Sequence, residues 1–138
     1  MMISALKIEL LDIVWPSVEE HIAMACDKSN GEVSSEEIKD MAKKGHVLIL
    51  TISEETNIVA TVILETKQFL NGKKVLRVSA AGGTRMPEWV NQLDAALNDI
   101  AREQKCDEIY ITGREGWVKA LKKLNYDRIY TTLSREVI

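Results

Sequence analysis

Apolar positions change their spacing near residue 46, and that change divides the chain. Before it, Val18, Ile22 and Ala25 recur at three and four residues, the stripe of a helix that buries one side. Pro16 marks the first turn of that helix, Glu19 and Glu20 suit its positive end, and Asn30-Gly31 ends it. Ahead of it, Met2 to Leu10 reads as a short strand. Ser34 and Glu37 have the spacing of a capping box before Ile38 and Met41, and Gly45 stops this second helix behind Lys43 and Lys44. Beyond the change, His46 to Ile52 (HVLILTI) and Ile58 to Glu65 (IVATVILE) are nearly continuous apolar runs, as strands covered on both faces require. Asn71-Gly72 signals a hairpin that returns the chain through a strand from Val75 to Ala81, completing an antiparallel meander.

Helical spacing resumes from Pro87 to Lys105, with Val90, Leu93, Leu97, Ile100 and Ala101 on one side. Asp107 to Thr112 (DEIYIT) is a short strand reached through that helix, so it is expected parallel to the strand before it. Trp117, Ala120, Leu121 and Leu124 line one face of a last helix, and Tyr126 to Val137 reads as a closing strand. No linker, repeat or low-complexity stretch interrupts this order. The expectation is one α/β domain over residues 1–138, with a mixed, mostly antiparallel central sheet, a parallel pair around the central helix, and helices on both faces.

Composition narrows the classes. Hydrophobic residues at 46 % and charged residues at 28 % suit a soluble globular chain, and 138 residues are enough to bury a core. A net charge of −3 gives no global basic field, so nucleic acid is not an expected partner. No apolar run approaches the roughly 20 residues that cross a bilayer. Met1 to Leu11 lacks the organisation of a signal peptide, so a cytoplasmic location without membrane contact is expected. Cys26 and Cys106 are isolated and read as reduced thiols. His21 and His46 lack neighbours at ligand spacing, and no metal is expected.

The element order, strand, helix, helix, three antiparallel strands, helix, strand, helix, strand, resembles that of the GNAT superfamily of acyl-CoA-dependent N-acetyltransferases over nearly the whole chain. Ala101 to Cys106 (AREQKC) with Glu108 to Ile111 (EIYI) resembles the end of the family's central helix and the next strand. Leu121 to Tyr126 (LKKLNY) resembles its Tyr-x-x-x-Gly-Phe ending. More narrowly, Gly113-Arg114-x-Gly116-Trp117 followed by Asn125-Tyr126 is similar to small GNAT-like proteins encoded by tailed bacteriophages. The family likeness implies acetyl-CoA as cofactor. The phage likeness implies a host-cytoplasmic or virion-associated protein with a phage or host protein partner.

The departures from the family matter as much. In the family an Arg/Gln-x-x-Gly-x-Gly/Ala loop before the central helix lets backbone N–H groups approach the pyrophosphate. Counted back from Ala101, that loop falls on Arg85 to Val90, where Arg85 keeps the first position and Met86, Glu88 and Val90 replace the glycine-rich ones. Pro87 removes a donor, and Glu88 brings a carboxylate toward the phosphates. Gly82 and Gly83 lie upstream, either as a displaced anion nest or, in the preferred reading, as a bulge or tight strand exit. The likeness also puts Leu121 where active members often carry the tyrosine that protonates the departing thiolate, and leucine transfers no proton.

Arg114 follows a strand at the carboxyl edge of the expected parallel pair, where open α/β sheets place ligands, and its guanidinium suits a phosphate or carboxylate. Its bland alternative is a salt bridge to Glu115 or Glu88, or a cap on a neighbouring chain segment. Trp117 floors a pocket or, as its spacing favours, joins the core. Glu65 is a candidate general base if it faces a cleft and a solvated edge residue otherwise. Lys119, Lys122 and Lys123 form a basic helix side.

Two functions follow. One is an N-acetyltransferase, with Gly82, Gly83 and Arg85 on the cofactor phosphates, Arg114 on the acceptor or pantetheine side, and Glu65 or a water as base. The other is a GNAT-like protein without transfer chemistry, a binding or structural part acting through Arg114, Trp117 and the basic helix. An open edge at the first or last strand suits a homodimer. Two independent departures at the site favour the second.

Overall fold

The apolar runs form the expected meander. The computed structural model describes residues 1–27 and 31–137. In it β1 (Met2–Ala5), β2 (Leu48–Glu54), β3 (Asn57–Gln68) and β4 (Lys74–Gly83) are successive antiparallel neighbours, and β5 (Glu108–Ile111) joins β4 in parallel. The hairpin between β3 and β4 closes where Asn71-Gly72 signalled it. Phe69 N–H donates to the Lys73 carbonyl at 2.8 Å, and the Asn71 side chain accepts from Lys73 N–H at 3.1 Å.

Neighbouring residues on these strands serve opposite cores, which is why the runs do not alternate. On one face Ile49 and Ile63 pack with Leu11, Trp15, Val18 and Ile22 of α1 (Leu11–Asp27) and Ile38 of α2 (Ser35–Lys43). On the other, Leu50, Val62, Leu64, Leu76 and Val78 pack with Trp89, Leu93 and Leu97 of α3 (Met86–Glu103). Each fully buried side chain of this size contributes about 1.5–3 kcal/mol. The short α4 (Glu115–Lys122) brings Trp117 to the α3 side. This is the fold class the sequence implies, a mixed sheet with one parallel pair and helices on both faces.

The second helix is capped as its sequence indicates. Ser34 Oγ accepts from Glu37 N–H at 3.2 Å, and at the other end Gly45 N–H reaches the Ala42 carbonyl while His46 N–H reaches Met41. Gly45 has φ +78°, the left-handed conformation that this double bond requires.

Several boundaries differ from the sequence reading. The strand expected over Met2 to Leu10 ends at Ala5, and Ile8–Leu10 form a turn of 3-10 helix instead. The first helix begins at Leu11, not at Pro16, which lies inside it. Proline there denies one N–H to the Asp12 carbonyl in the exposed first turn, and burial of Leu11 and Trp15 outweighs that loss. The expected stop at Asn30 lies outside the described residues. The closing strand does not form: Tyr126 to Val137 has no ladder partner, and Ile129, Tyr130, Leu133 and Val137 are exposed. β-branched and aromatic composition makes a strand only where a neighbour exchanges backbone hydrogen bonds. Among the described residues no helix is long and apolar enough to cross a membrane.

Candidate functional site

A wedge opens where β4 and β5 part. The two strands pair from Val75 with Glu108 to Val78 with Ile111, and Thr112 N–H still reaches the Val78 carbonyl at 3.2 Å. The register with β3 then jumps, Leu64 facing Val78 and Ile63 facing Ala80, so Ser79 is an extra residue in β4. A bulge of this kind bends its strand. β4 runs on to Gly83 without a β5 neighbour, while the chain after Ile111 turns into Gly113 and α4. The amino ends of α3 and α4 thus flank the carboxyl end of the parallel pair, and this is the candidate site.

Two tryptophans join the helix ends. Trp89 and Trp117 have ring centroids 6.4 Å apart, and Trp89 Nε1 donates to the Thr84 carbonyl at 2.7 Å. A β-carbon at Gly113 would press on the Trp117 ring at 3.3 Å. Trp117 is half-buried against the α3-side core, in keeping with its helical spacing.

Gly82 and Gly83 lie in the ladder opposite Thr61 and Ala60. A β-carbon on Gly82 would overlap the carbonyl oxygen of His21, because α1 crosses β4 there; one on Gly83 would overlap Val59 and Ala60 backbone. Close backbone packing therefore accounts for both missing side chains. The crossing is fixed further by a hydrogen bond between His21 Nδ1 and the buried Thr61 Oγ1, 3.3 Å apart.

Arg85 precedes α3 in the left-handed conformation, φ +63°. Its Nε and Nη2 donate to the two oxygens of Glu88 at 2.6 and 2.8 Å, and Nη2 also pairs with Glu54. Hydrogen bonds that Arg85 donates, first to Glu88 and then to Glu54, push it above its ordinary range, while Arg85 holds Glu88 below the usual carboxylate range. Two carboxylates thus engage one guanidinium at the helix start and leave a net negative charge there. Glu88 also supplies the negative charge that the α3 dipole favours at this end.

Arg114 is placed differently. It is the N-cap residue of α4, exposed, and its side chain makes no cap hydrogen bond. Both carboxylates that the sequence offered it are engaged elsewhere: Glu88 by Arg85, and Glu115 by Arg128 at 2.5 and 2.6 Å. Tyr126 packs back onto α3, its hydroxyl donating to Asp94 at 2.8 Å, and burial together with that bond pushes its pKa up. Leu121, at the position the family resemblance gives to a proton donor, is buried.

Glu65 is not part of this cluster. It faces Arg77 across the β3–β4 ladder, with 3.6 Å between carboxylate and Nε, and it lines a separate cavity of about 330 Å³ with Leu48, Leu64, Leu76, Ile100 and Gln104. Ile100 and Gln104 belong to the carboxyl end of α3, whose 18 residues extend about 27 Å from Arg85. The sequence reading did not connect Glu54 with Arg85, 31 positions apart. The Arg85-x-x-Glu88 spacing was the one local signal of that network. Among the described residues no group of three or more His, Cys, Asp or Glu side chains is placed to hold a metal ion.

No family model matches the chain, and no curated protein matches it in sequence. Solved structures match it throughout. A probable acetyltransferase superposes with a TM-score of 0.73 at 13 % identity, covering 100 % of this chain and 99 % of that one. A ribosomal-protein-alanine N-acetyltransferase from Brucella melitensis gives 0.71 at 12 % identity over 99 % and 100 %. A GNAT family acetyltransferase from Staphylococcus aureus gives 0.65 at 11 % identity over 99 % and 98 %. The chain has the GNAT acetyltransferase fold.

Proposed function

We propose that this chain uses the GNAT fold to bind an acidic protein surface and does not transfer acyl groups. The observation that carries this reading is the pairing of Arg85 with both Glu54 and Glu88 at the start of α3. Acetyl-CoA is the cofactor the fold implies, and these residues do not fit its pyrophosphate. The helix end presents one paired arginine, an extra carboxylate and Pro87, which has no N–H to offer. A phosphate arriving there meets negative charge first.

Binding capacity lies instead on α4. Arg114, Lys119, Lys122 and Lys123 are exposed and have no carboxylate partner among the described residues. Cations already paired contribute little to a new contact, whereas unpaired ones steer an oppositely charged partner. The phage or virion setting rests on the Gly113–Tyr126 resemblance alone.

The second reading, an acetyl-CoA-dependent N-acetyltransferase, is favoured by the open β4–β5 wedge and by the acetyltransferase names of the matching structures. Calorimetric titration of the purified chain with acetyl-CoA separates the two. Absence of heat at millimolar cofactor supports the binding protein. Micromolar affinity that is lost in Arg85→Ala supports the enzyme.

A further inference from the structure

At the end opposite the wedge the sheet has a ragged corner. β1 stops at Ala5 and β2 begins at Leu48, opposite Leu64, whereas β3 runs on to Gln68 beside β4. Along residues 65–68 the β2 side of β3 therefore carries no strand among the described residues. Phe69 N–H bonds back into the hairpin, to the Lys73 carbonyl. Thr66 and Gln68, three and one positions earlier, thus turn their N–H and C=O groups to the open side.

Beside this edge lies the cavity of about 330 Å³ that Glu65 lines. A sheet ordinarily separates its two cores, but at the corner the cavity reaches both. Leu11, Ala42 and Ile49 of the α1 side and Leu64 and Leu76 of the α3 side form its buried, apolar interior. Lys7, His46 and Thr66 are exposed at its rim. Glu65 is answered by Arg77, while Lys7 has no ion-pair partner among the described residues. The charge left open at the mouth is positive.

We propose that this corner binds the free carboxyl end of an extended peptide whose last residue is bulky and apolar. An open edge offers the backbone partners that an added strand uses. The cavity is at the small end of the roughly 300–1,000 Å³ range of ligand pockets, which suits one large side chain better than a cofactor. Direction follows from β2. A peptide antiparallel to β3, running from Gln68 toward Glu65, lies on the line of β2 itself, and Leu48 already occupies that line ahead. The peptide has to end there. Its terminal carboxylate then meets the mouth where Lys7 stands, opposite charges that fix which end docks. No residue of the α3 start or of α4 lines the corner, so the assignment is independent of the reading given to those elements.

Nitrogen–proton NMR of the full chain titrated with the peptide Thr-Val-Thr-Val-Leu tests this. Sub-millimolar binding is expected, with amide shifts at Val47, Leu48 and Gln68. Amidating the peptide's carboxyl end, or ending it in alanine, is expected to weaken binding at least about ten-fold. Lys7→Glu should weaken it similarly. Thr66→Pro removes an edge N–H and spares the β4 side, so it should abolish binding. Circular dichroism should stay unchanged in both variants, because both residues are exposed. Absence of shifts at millimolar peptide, an amide that binds as well as the acid, or binding untouched by Thr66→Pro would each overturn the proposal. Decanoate binding as tightly as the peptide would also overturn it, and would give the cavity to a free fatty acid.

Discussion

Arg85 grips Glu88 with both prongs of its guanidinium, 2.6 and 2.8 Å from the two carboxylate oxygens, across the first turn of α3. A fork of this kind is directional as well as charged. With Glu54 on the other side, the arginine that the sequence resemblance aligned with a phosphate contact is part of an intramolecular clasp between the β2 end and the α3 start.

The clasp has a pH signature. Glu88 is held below the usual glutamate range, so its contribution to stability is complete above the ordinary pKa near 4.3 and fades as pH falls through the lower folded value. Carbon-detected NMR titration of the side-chain carboxyls is expected to show Glu88 titrating late on acidification. Arg85→Ala should return it toward the ordinary value. An unchanged Glu88 in that variant would mean that Arg85 is not its partner in solution.

Gly82→Ala should destabilise the chain by about 2–3 kcal/mol or more, because the new methyl group meets backbone of α1 at His21 and neither element can retreat without unpacking. Gly116→Ala offers the contrast. Nothing lies within 4 Å of a β-carbon there, and its place in α4 favours alanine by up to about 1 kcal/mol. Urea midpoints of the two variants should move in opposite directions.

Tyr126→Phe removes the bond to Asp94, and for a half-buried pair the expected loss is about 1 kcal/mol. The phenol's pKa is raised in the folded chain, so this stabilisation is full below the ordinary tyrosine value near 10 and declines as pH rises through the folded value. Ultraviolet titration should find a Tyr126 component that resists ionisation, and the variant should lack it.

Much of the fold was readable because periodicity reports burial. The change of spacing at residue 46 marked the sheet, Asn71-Gly72 marked the hairpin, and Ser34 with Glu37 marked a helix start, all being local devices. Pro16 misled because an apolar stripe reaching back to Leu11 outweighed one missing N–H. Tyr126 to Val137 misled because a strand depends on its neighbour, which the segment's own composition does not disclose. The candidate site was half legible. Arg85 and Glu88 were both singled out, but Glu54 reaches them only through the fold. The freedom of Arg114 likewise follows from where Glu88 and Glu115 are engaged.

The decisive measurement compares acetyl-CoA affinity of the native chain with that of a Glu54→Gln, Glu88→Gln double variant by calorimetry. If carboxylates close the α3 end, the native chain shows no binding at millimolar cofactor, and the double variant, its Arg85 released, gains at least about ten-fold in affinity, equivalent to about 1.4 kcal/mol. Micromolar binding by the native chain, unimproved in the double variant, would contradict the closure and return the chain to the acyltransferases.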